Sequence, residues 1–535
     1  MPAAARPVRA RFPWPPAIIW VPAGAVALGT LLPLTYLVIR TAQAGADLWP
    51  LLLRARTLDL LARSIGLAGA VTLATIALAV PLAWLTVRTD LPGRRYWSTL
   101  AALPLVIPTY VGAFAFVAAL GPRGLLQQLL AAPLGIERLP EIYGFPGAWL
   151  ALTLFTYPYV LLTVQAALRG LDPALEEAAR SLGQGAWATF WRVTFPQLRP
   201  AITVGGLLVA LYTLSDFGVV SLLQFDTFTR AIYTHYRASF DRTLAAGFAL
   251  LLVGLTALVL LLEARARGRV RYHRSTVGTV RPLRLLLLGR WTAPALLLVV
   301  GVVCFALVLP LGVLGFWLVR GLWLGASVQP VWQATLNSVI ASGLAALVTV
   351  LAALPVAVLA VRYPGRLASL VERAAYAGFA LPGIVIALAL VFFATRLVTP
   401  LYQTLALLVL AYVIRFLPQA VGGARASLLQ VNPRLEDAAR GLGRSHAQAL
   451  AAVTVPLVGP GLLAGAALVF LTTMKELPAT LLLAPIGFRT LATAIWTGAA
   501  EGFFAEAALA AVLLIAVSAL PLAVLAAGRG EMPSD

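Results

Sequence analysis

Long apolar runs recur from one end of this 535-residue sequence to the other. A helix needs about 20 apolar residues to cross about 30 Å of hydrocarbon, and these runs are long enough to do so. Only 11% of the residues are charged and 61% are hydrophobic, which is too little charge to cover a soluble protein of this length. The runs do not alternate apolar and polar residues, which excludes a membrane β-barrel. The sequence therefore predicts an all-α polytopic membrane protein.

The apolar runs predict about twelve transmembrane helices. In chain order they fall near residues 17–39, 60–87, 99–120, 147–168, 201–223, 243–263, 294–319, 335–361, 374–396, 401–424, 459–484 and 505–527. Arginines cluster between alternate spans, as the positive-inside rule expects of cytoplasmic loops, so both termini are predicted to be cytoplasmic. Arg54, Arg56 and Arg63 are exceptions, because they fall in the first predicted external loop. The formal net charge of +20 follows from the basic loops, and no motif indicates nucleic acid binding.

The sequence on one side of a basic central stretch repeats on the other side. Pro81 and Arg88 correspond to Pro355 and Arg362 at a single spacing. The two halves run in the same direction and each has an even number of predicted helices. They are therefore predicted to be two parallel six-helix repeats related by an axis along the membrane normal. The predicted domains are a first half, 1–264, a basic cytoplasmic linker, 265–290, and a second half, 291–535.

Each half contains a matching amphipathic cytoplasmic loop, near 172–200 and near 432–460. The first begins L-D-P-A-L-E-E-A-A-R-S-L-G and the second V-N-P-R-L-E-D-A-A-R-G-L-G, and a V-T-x-P ending follows each after nine residues. Asp172 and Asn432 are good N-caps, and proline suits the first helical position. Gly183 and Gly443 are suited to end the helices in a left-handed turn. Each loop is therefore predicted to contain a short helix.

Charged and apolar residues occupy different faces of these short helices. Acidic residues lie early in each helix, where its dipole favours negative charge. Glu176 with Arg180, and Glu436 with Arg440, are predicted to form exposed pairs one turn apart. One apolar face is shared by Leu175, Ala179 and Leu182, and its counterpart by Leu435, Ala439 and Leu442. An ordinary interfacial helix would explain one loop, but two copies at the same spacing imply a partner with two-fold symmetry.

The pattern of Glu-Ala-Ala, three residues, Gly, nine residues and a final aliphatic-x-apolar-Pro resembles the cytoplasmic loop of binding-protein-dependent ABC import permeases. The resemblance implies a type I ABC importer fold in which each loop helix is a coupling helix that docks on an ATPase. The docking residues that it implies are Glu176, Glu177, Ala178, Ala179, Gly183, Glu436, Asp437, Ala438, Ala439 and Gly443. Asp437 departs from the family, which usually has Glu at this position, and its shorter side chain places the carboxylate closer to the helix.

The resemblance also implies the partners. They are two copies of an ABC ATPase, a periplasmic substrate-binding protein and the bilayer of a bacterial inner membrane, with no nucleic acid. The chain has no Walker A sequence and no G-x-S-x-G or H-E-x-x-H motif, so we predict a transport subunit with no catalytic residues. We expect this chain to bind no cofactor, since ATP and Mg²⁺ would be used by the ATPase. A twelve-helix secondary transporter is the rival class, but it would not need two docking helices.

Two further segments, 214–223 and 474–483, resemble the fused ferric-iron permeases. The cargo that they imply is ferric iron delivered by the binding protein. Similar segments occur in importers of thiamine and other solutes, so thiamine, polyamine or another small solute is the alternative cargo. Ferric iron prefers hard oxygen ligands, and no converging cluster of carboxylates or tyrosines indicates a resident metal site.

The same two segments place ionisable residues within apolar spans. Such groups are costly in lipid and usually face a bundle interior or a water-filled path. The residues predicted to line the translocation path or its gate are Ser215, Asp216, Lys475, Glu476 and Pro478. The alternative is that Lys475 and Glu476 neutralise partners elsewhere in the bundle. Pro478 and Gly218 are expected to loosen their helices at this point.

Overall fold

A computed structural model describes residues 15–43, 50, 52–238, 243–267, 285–325 and 329–527. Within these ranges the chain is helical, and its β-structure is limited to an isolated bridge between Thr89 and Leu286. Ten of the described helices are long and apolar enough to cross a membrane. They are Ala17–Gln43, Ala55–Arg88, Thr109–Leu134, Phe145–Gly170, Phe190–Ser215, Thr243–Leu262, Gly289–Trp323, Pro330–Arg362, Leu405–Leu428 and His446–Met474.

Two further segments complete the predicted set of spans. Arg366–Ala380 and Gly383–Leu397 pass the same test together, although the chain bends by 106° between them. The last helix, Phe504–Ala527, corresponds to the predicted span 505–527. Every predicted span therefore has a helical counterpart, and the all-α polytopic fold class is confirmed.

Three predicted spans have different ends in the structure. The third begins at Thr109 rather than near residue 99, because Pro104 and Pro108 interrupt the apolar run. The spans predicted at 201–223 and 459–484 end at Ser215 and Met474. Short separate helices follow them, Gly218–Leu222 and Pro478–Leu483. Apolarity alone does not reveal these breaks, since the residues on both sides of each break are apolar.

Two helices of equal length end at the repeated arginines. We call Ala55–Arg88 the first long helix and Gln329–Arg362 the second long helix, and each has 34 residues. At 1.5 Å per residue, such a helix is about 51 Å long, well beyond the hydrocarbon thickness. The extra length accommodates Arg54, Arg56 and Arg63 at the start of the first long helix, where Arg63 pairs with Asp59.

The chain divides into two compact units, each of which contains residues from both sides of the linker. One unit comprises residues 37–335 and 489–517. Its most buried span is Phe145–Gly170, which packs against the first long helix and against Phe195–Ser215. Gly205 makes this close packing possible, because a side chain there would overlap Thr163 and Val160. The ring of Phe504 contacts Phe114 in the same unit.

Among the described residues, the other unit comprises 15–36, 336–488 and 518–527. Its core is the pair Leu405–Leu428 and Val455–Met474. Gly461 permits their close approach, since an added side chain would overlap Ser427 Oγ. Residues 17–36 of the first helix belong to this unit, where the Thr30 hydroxyl donates a hydrogen bond to the carbonyl of Ala374 at 3.0 Å.

Candidate functional site

The first predicted loop helix is present at Pro173–Ser181, and we call it the first loop helix. Asp172 Oδ1 accepts a hydrogen bond from the backbone N–H of Ala174 at 3.0 Å, so this side chain caps the helix as predicted. Gly183 ends the helix with a φ of 82°, in the left-handed region that glycine adopts readily.

The second loop helix, Arg434–Gly441, begins and ends in the same way. Asn432 Oδ1 accepts a hydrogen bond from the N–H of Arg434 at 3.1 Å, and Gly443 has a φ of 87°. The terminal glycines and the capping hydrogen bonds of Asp172 and Asn432 are confirmed, although the second helix begins one residue later than predicted, so that Pro433 rather than Asn432 immediately precedes it.

Both loop helices present leucines to solvent. Leu182 is 82% exposed and Leu442 is 87% exposed, and the preceding leucines, Leu175 and Leu435, are also exposed. Among the predicted docking residues, those with exposed positions are Glu177, Ala178, Gly183, Asp437, Ala438 and Gly443. Ala179 and Ala439 are buried beneath them. A large exposed leucine at the same place in each half is typical of a surface that a partner covers.

Glu176 and Glu436 face inward and do not form the predicted exposed pairs. Glu176 makes an ion pair with Arg88, the last residue of the first long helix. Glu436 makes the corresponding pair with Arg362, the last residue of the second long helix, with 2.9 Å between Arg362 Nε and Glu436 Oε1. The prediction that Arg180 and Arg440 pair with these glutamates is wrong. An exposed pair one turn apart contributes little, whereas a partly buried carboxylate needs a partner.

The first of these ion pairs is almost completely buried. The Arg88 side chain is 4% exposed and that of Glu176 is 12% exposed. The Arg88 guanidinium lies over the Trp84 ring, 5.7 Å from its centre. The Thr194 hydroxyl donates a second hydrogen bond to Glu176, at 2.7 Å from Oε1.

The end of the predicted linker is attached at this same point. The Leu286 N–H donates to the Arg88 carbonyl at 2.8 Å, and the Asp90 N–H donates to the Leu286 carbonyl at 3.1 Å. Asp90 Oδ1 accepts from the Leu288 N–H at 2.9 Å. Residues 268–284 of the linker lie outside the described residues, and the boundaries of the linker and of the two halves stay predictions.

The second ion pair has a different set of neighbours. Arg362 Nη2 donates to the backbone carbonyl of Val431 at 3.1 Å. Tyr363 lies beside the pair, and burial, followed by the nearby charge of Glu436, raises the pKa of its hydroxyl above the ordinary value. Arg440 pairs instead with Asp437 at 3.4 Å on the exposed side of the second loop helix.

Asp216 lies at a break in its helix rather than within a continuous span. Its Oδ1 accepts the N–H of Val219 at 2.9 Å, and its Oδ2 accepts the Thr109 hydroxyl at 2.8 Å. The Thr229 hydroxyl donates to the Asp216 carbonyl at 2.7 Å. Ser215 is the last residue of the helix before the break. The buried carboxylate therefore caps the short helix Gly218–Leu222 and ties it to the helix that begins at Thr109.

Glu476 occupies the corresponding break in the other unit. Its Oε1 accepts from the N–H of Ala479 at 3.3 Å and from Arg415 Nη1 at 3.1 Å. Lys475 precedes it at the break, and Pro478 begins the next short helix. The pairing with Arg415 is what the alternative interpretation of Glu476 predicts, a carboxylate that neutralises a partner in the bundle.

Gly383 makes the Arg415–Glu476 pair possible. It follows Pro382 at the start of its helix, as Thr109 follows Pro108. A side chain on Gly383 would overlap Arg415 Nη1 and Glu476 Oε1. The two breaks therefore hold their carboxylates differently, with a threonine hydroxyl in one and an arginine in the other.

Sequence reasoning missed the partners of these acidic residues, which are Arg88, Arg362, Thr109, Gly383 and Arg415. The correspondence of Arg88 with Arg362 in the repeat was a usable signal, because both end a span and carry a charge. Arg415 gave no repeat signal, since it has no basic counterpart in the first half. Among the described residues, no group of three or more His, Cys, Asp or Glu side chains is arranged to hold a metal ion.

These observations define a multi-pass membrane transport subunit with a duplicated half and two exposed loop helices. The chain matches the family described as "Binding-protein-dependent transport system inner membrane component" over residues 75–272 and again over 345–528. It belongs to this family, once in each half. The double match confirms the predicted resemblance.

Several relatives have known names. An Fe(3+)-transport system permease protein of Haemophilus influenzae is 34% identical over 506 residues, which cover 93% of this chain and 95% of the relative. A ferric transport system permease protein of Actinobacillus pleuropneumoniae is 25% identical over 78% of this chain and 64% of its own length. A molybdenum transport system permease protein of Escherichia coli K12 is 30% identical over 37% of this chain and 89% of its own length.

Proposed function

We propose that this chain is the membrane-spanning subunit of an ABC importer that carries ferric iron, delivered by a periplasmic binding protein, into the cytoplasm. The main structural support is the pair of loop helices, which expose a leucine at corresponding positions, Leu182 and Leu442. The family is described as binding-protein-dependent, which supports the binding-protein partner. The bacterial inner membrane is supported by the same description.

The energy for transport comes from a separate ATPase that uses ATP and Mg²⁺. Two copies of this ATPase dock on each permease chain. Two loop helices with matching capping hydrogen bonds, the same terminal glycine and the same exposed leucine support two docking sites. Both helices, and hence both termini, lie on the cytoplasmic side, where ATP is available. This chain itself binds no cofactor and hydrolyses nothing.

The docking surface consists of the exposed residues of the two loop helices. The exposed leucine enters a cleft of the ATPase, and the carboxylates of Glu177 and Asp437 lie beside it. Asp437 forms an ion pair with Arg440, so the two docking sites bind the ATPase with different strength. Glu176, Glu436, Ala179 and Ala439 support the surface from behind, since they face inward.

Iron is supported as the cargo because the ferric relative from Haemophilus influenzae aligns with nearly the whole chain. The molybdenum relative aligns with little more than a third of it. The translocation path or gate includes the two helix breaks with Ser215, Asp216, Lys475, Glu476 and Pro478. Asp216 and Glu476 act there by holding the broken helices, since their carboxylate oxygens already accept protein hydrogen bonds.

The docking sites are tested by replacing the exposed leucines. Leu182→Asp combined with Leu442→Asp is expected to lower the amount of ATPase that co-purifies by about tenfold or more, because exposed apolar anchors dominate such interfaces. ATP-driven uptake of ferric iron into proteoliposomes falls with it. Leu287→Asp is the matched control, since Leu287 is 85% exposed but lies outside the loop helices. Undiminished ATPase binding in the double variant contradicts the docking role.

The cargo is tested with the same proteoliposomes. Uptake of radioactive ferric iron, presented by a periplasmic ferric-binding protein, is expected to persist in the presence of excess molybdate, thiamine or polyamine. Uptake of one of these solutes in place of iron contradicts the iron assignment and leaves the docking sites unaffected.

A further inference from the structure

The same buried ion pair occurs once in each half of the chain. In both cases the last residue of a long helix, Arg88 or Arg362, binds a glutamate in the first turn of a loop helix, Glu176 or Glu436. The Arg362 side chain is 9% exposed and that of Glu436 is 18% exposed, so the second pair is also largely shielded from water. These four residues form what we call the two arginine clamps.

The clamps are retained although the chain around them differs. The partners are 88 residues apart in the first half but only 74 apart in the second. The Thr194 hydroxyl and the backbone of Leu286 support the first clamp, whereas the Val431 carbonyl supports the second. The presence of the same ion pair in such different surroundings indicates that both halves need it.

The position of each charge suits the helix that carries it. An arginine at a helix C-terminus and a glutamate in a first turn both complement the helix dipole. The clamp therefore joins the negative end of a membrane helix to the positive end of a loop helix. Because both charges are shielded, the loss of one partner leaves the other buried without compensation.

Each loop helix has only eight or nine residues and exposes most of its surface. A partner that moves such a helix moves the membrane domain only if the helix is fastened to a long element. We infer that Arg88 and Arg362 are positioning residues that transmit the movement of the ATPase from each loop helix to the end of a long helix. This inference rests on the proposed function, because it assumes that the ATPase docks on the loop helices.

The test is a charge swap in each half. The single variants Arg88→Glu, Glu176→Arg, Arg362→Glu and Glu436→Arg are expected to keep their ATPase subunits, because the exposed docking residues are unchanged. The iron transported per ATP hydrolysed is expected to fall by about tenfold, as for removal of one member of a buried charge pair. The swaps R88E/E176R and R362E/E436R are expected to raise it above that of either single variant without full recovery, because the ion pair forms again although each charge then opposes its helix dipole. A merely structural role predicts less protein but an unchanged ratio of transport to hydrolysis.

Two exposed arginines provide matched controls. Arg95→Glu and Arg366→Glu make the same charge change next to the ends of the long helices, outside the clamps, and should leave the ratio unchanged. Glu176→Gln and Glu436→Gln preserve shape and one acceptor oxygen, so they report on the clamp if a charge reversal prevents folding. They are expected to lower the ratio by about threefold.

The outcomes separate the clamps from the docking sites. The clamp proposal is overturned if the charge-reversal variants transport as much iron per ATP hydrolysed as the wild type. If the reversals do not fold, the same result in the glutamine variants overturns it. So does a charge swap that folds and transports no better than its single variants. Failure of the Leu182 and Leu442 variants to lose the ATPase overturns the docking sites instead, because that experiment leaves both clamps intact.

Discussion

Single residues decide how the two halves hold their buried carboxylates. Glu476 reaches Arg415 only because Gly383 has no side chain, and Asp216 meets the hydroxyl of Thr109 at the corresponding helix start. The caps at Asp172 and Asn432 were predictable from sequence, since a cap depends on residues two positions away. The partner of Glu176 was not predictable in the same way, because it lies 88 residues earlier and competes with Arg180 one turn away.

Gly383→Ala is expected to destabilise the protein. The added methyl group would overlap Arg415 Nη1 and Glu476 Oε1, so the buried ion pair must shift. Overpacking of this kind costs about 1–3 kcal/mol, and thermal unfolding in detergent measures it. Gly254→Ala is the control, because nothing lies within 4 Å of the added group and alanine favours a helix. Equal thermal stability of the Gly383→Ala and wild-type proteins contradicts the tight packing at this site.

Interrupted helices are the main feature at the scale of elements. The spans that end at Ser215 and Met474 are each followed by a short helix whose first N–H groups are capped by an acidic side chain. Both spans also contain a π-helical turn near their start, Phe190–Thr194 and Leu450–Thr454, at corresponding places in the repeat. Hydropathy predicted the spans but missed both irregularities, because a break or a π turn changes backbone geometry without changing apolar character.

Asp216 allows the capping role to be separated from a direct role in cargo binding. Asp216→Asn keeps a carbonyl oxygen for the Val219 N–H, so we expect near wild-type stability and ferric uptake. Asp216→Ala removes the cap and is expected to cost about 1–2 kcal/mol. Thermal unfolding and uptake are measured together, with Asp226→Asn as an exposed control that pairs with Arg230. Loss of uptake in a stable Asp216→Asn variant would show that the negative charge itself is needed.

At the scale of the whole molecule, the compact units do not follow the order of the chain. Residues 489–517 belong to the unit that contains most of the first half, and residues 15–36 belong to the unit that contains most of the second. The contact of Phe504 with Phe114 joins residues from opposite sides of the linker within one unit. The repeat predicted the two halves but not this exchange, because sequence spacing does not specify which helices pack together.

Cutting the linker is therefore expected to leave the protein intact. A protease site inserted between residues 268 and 284 allows the purified protein to be cleaved into two fragments. Both fragments should remain together in mild detergent, since each unit takes residues from both of them. Affinity purification through a tag on one fragment measures how much of the other is retained. Separation of the fragments on cleavage would contradict the division into these units.

The carboxylates at the two helix breaks have different partners, Thr109 for Asp216 and Arg415 for Glu476, and this difference has a genetic consequence. In a permease assembled from two copies of one gene product, a mutation appears on both sides of the assembly at once. In this chain the position that corresponds to Arg415 is Phe155, which is buried. In a fused chain, one half can carry a charge where the other carries an aromatic ring, so selection can act on each half separately.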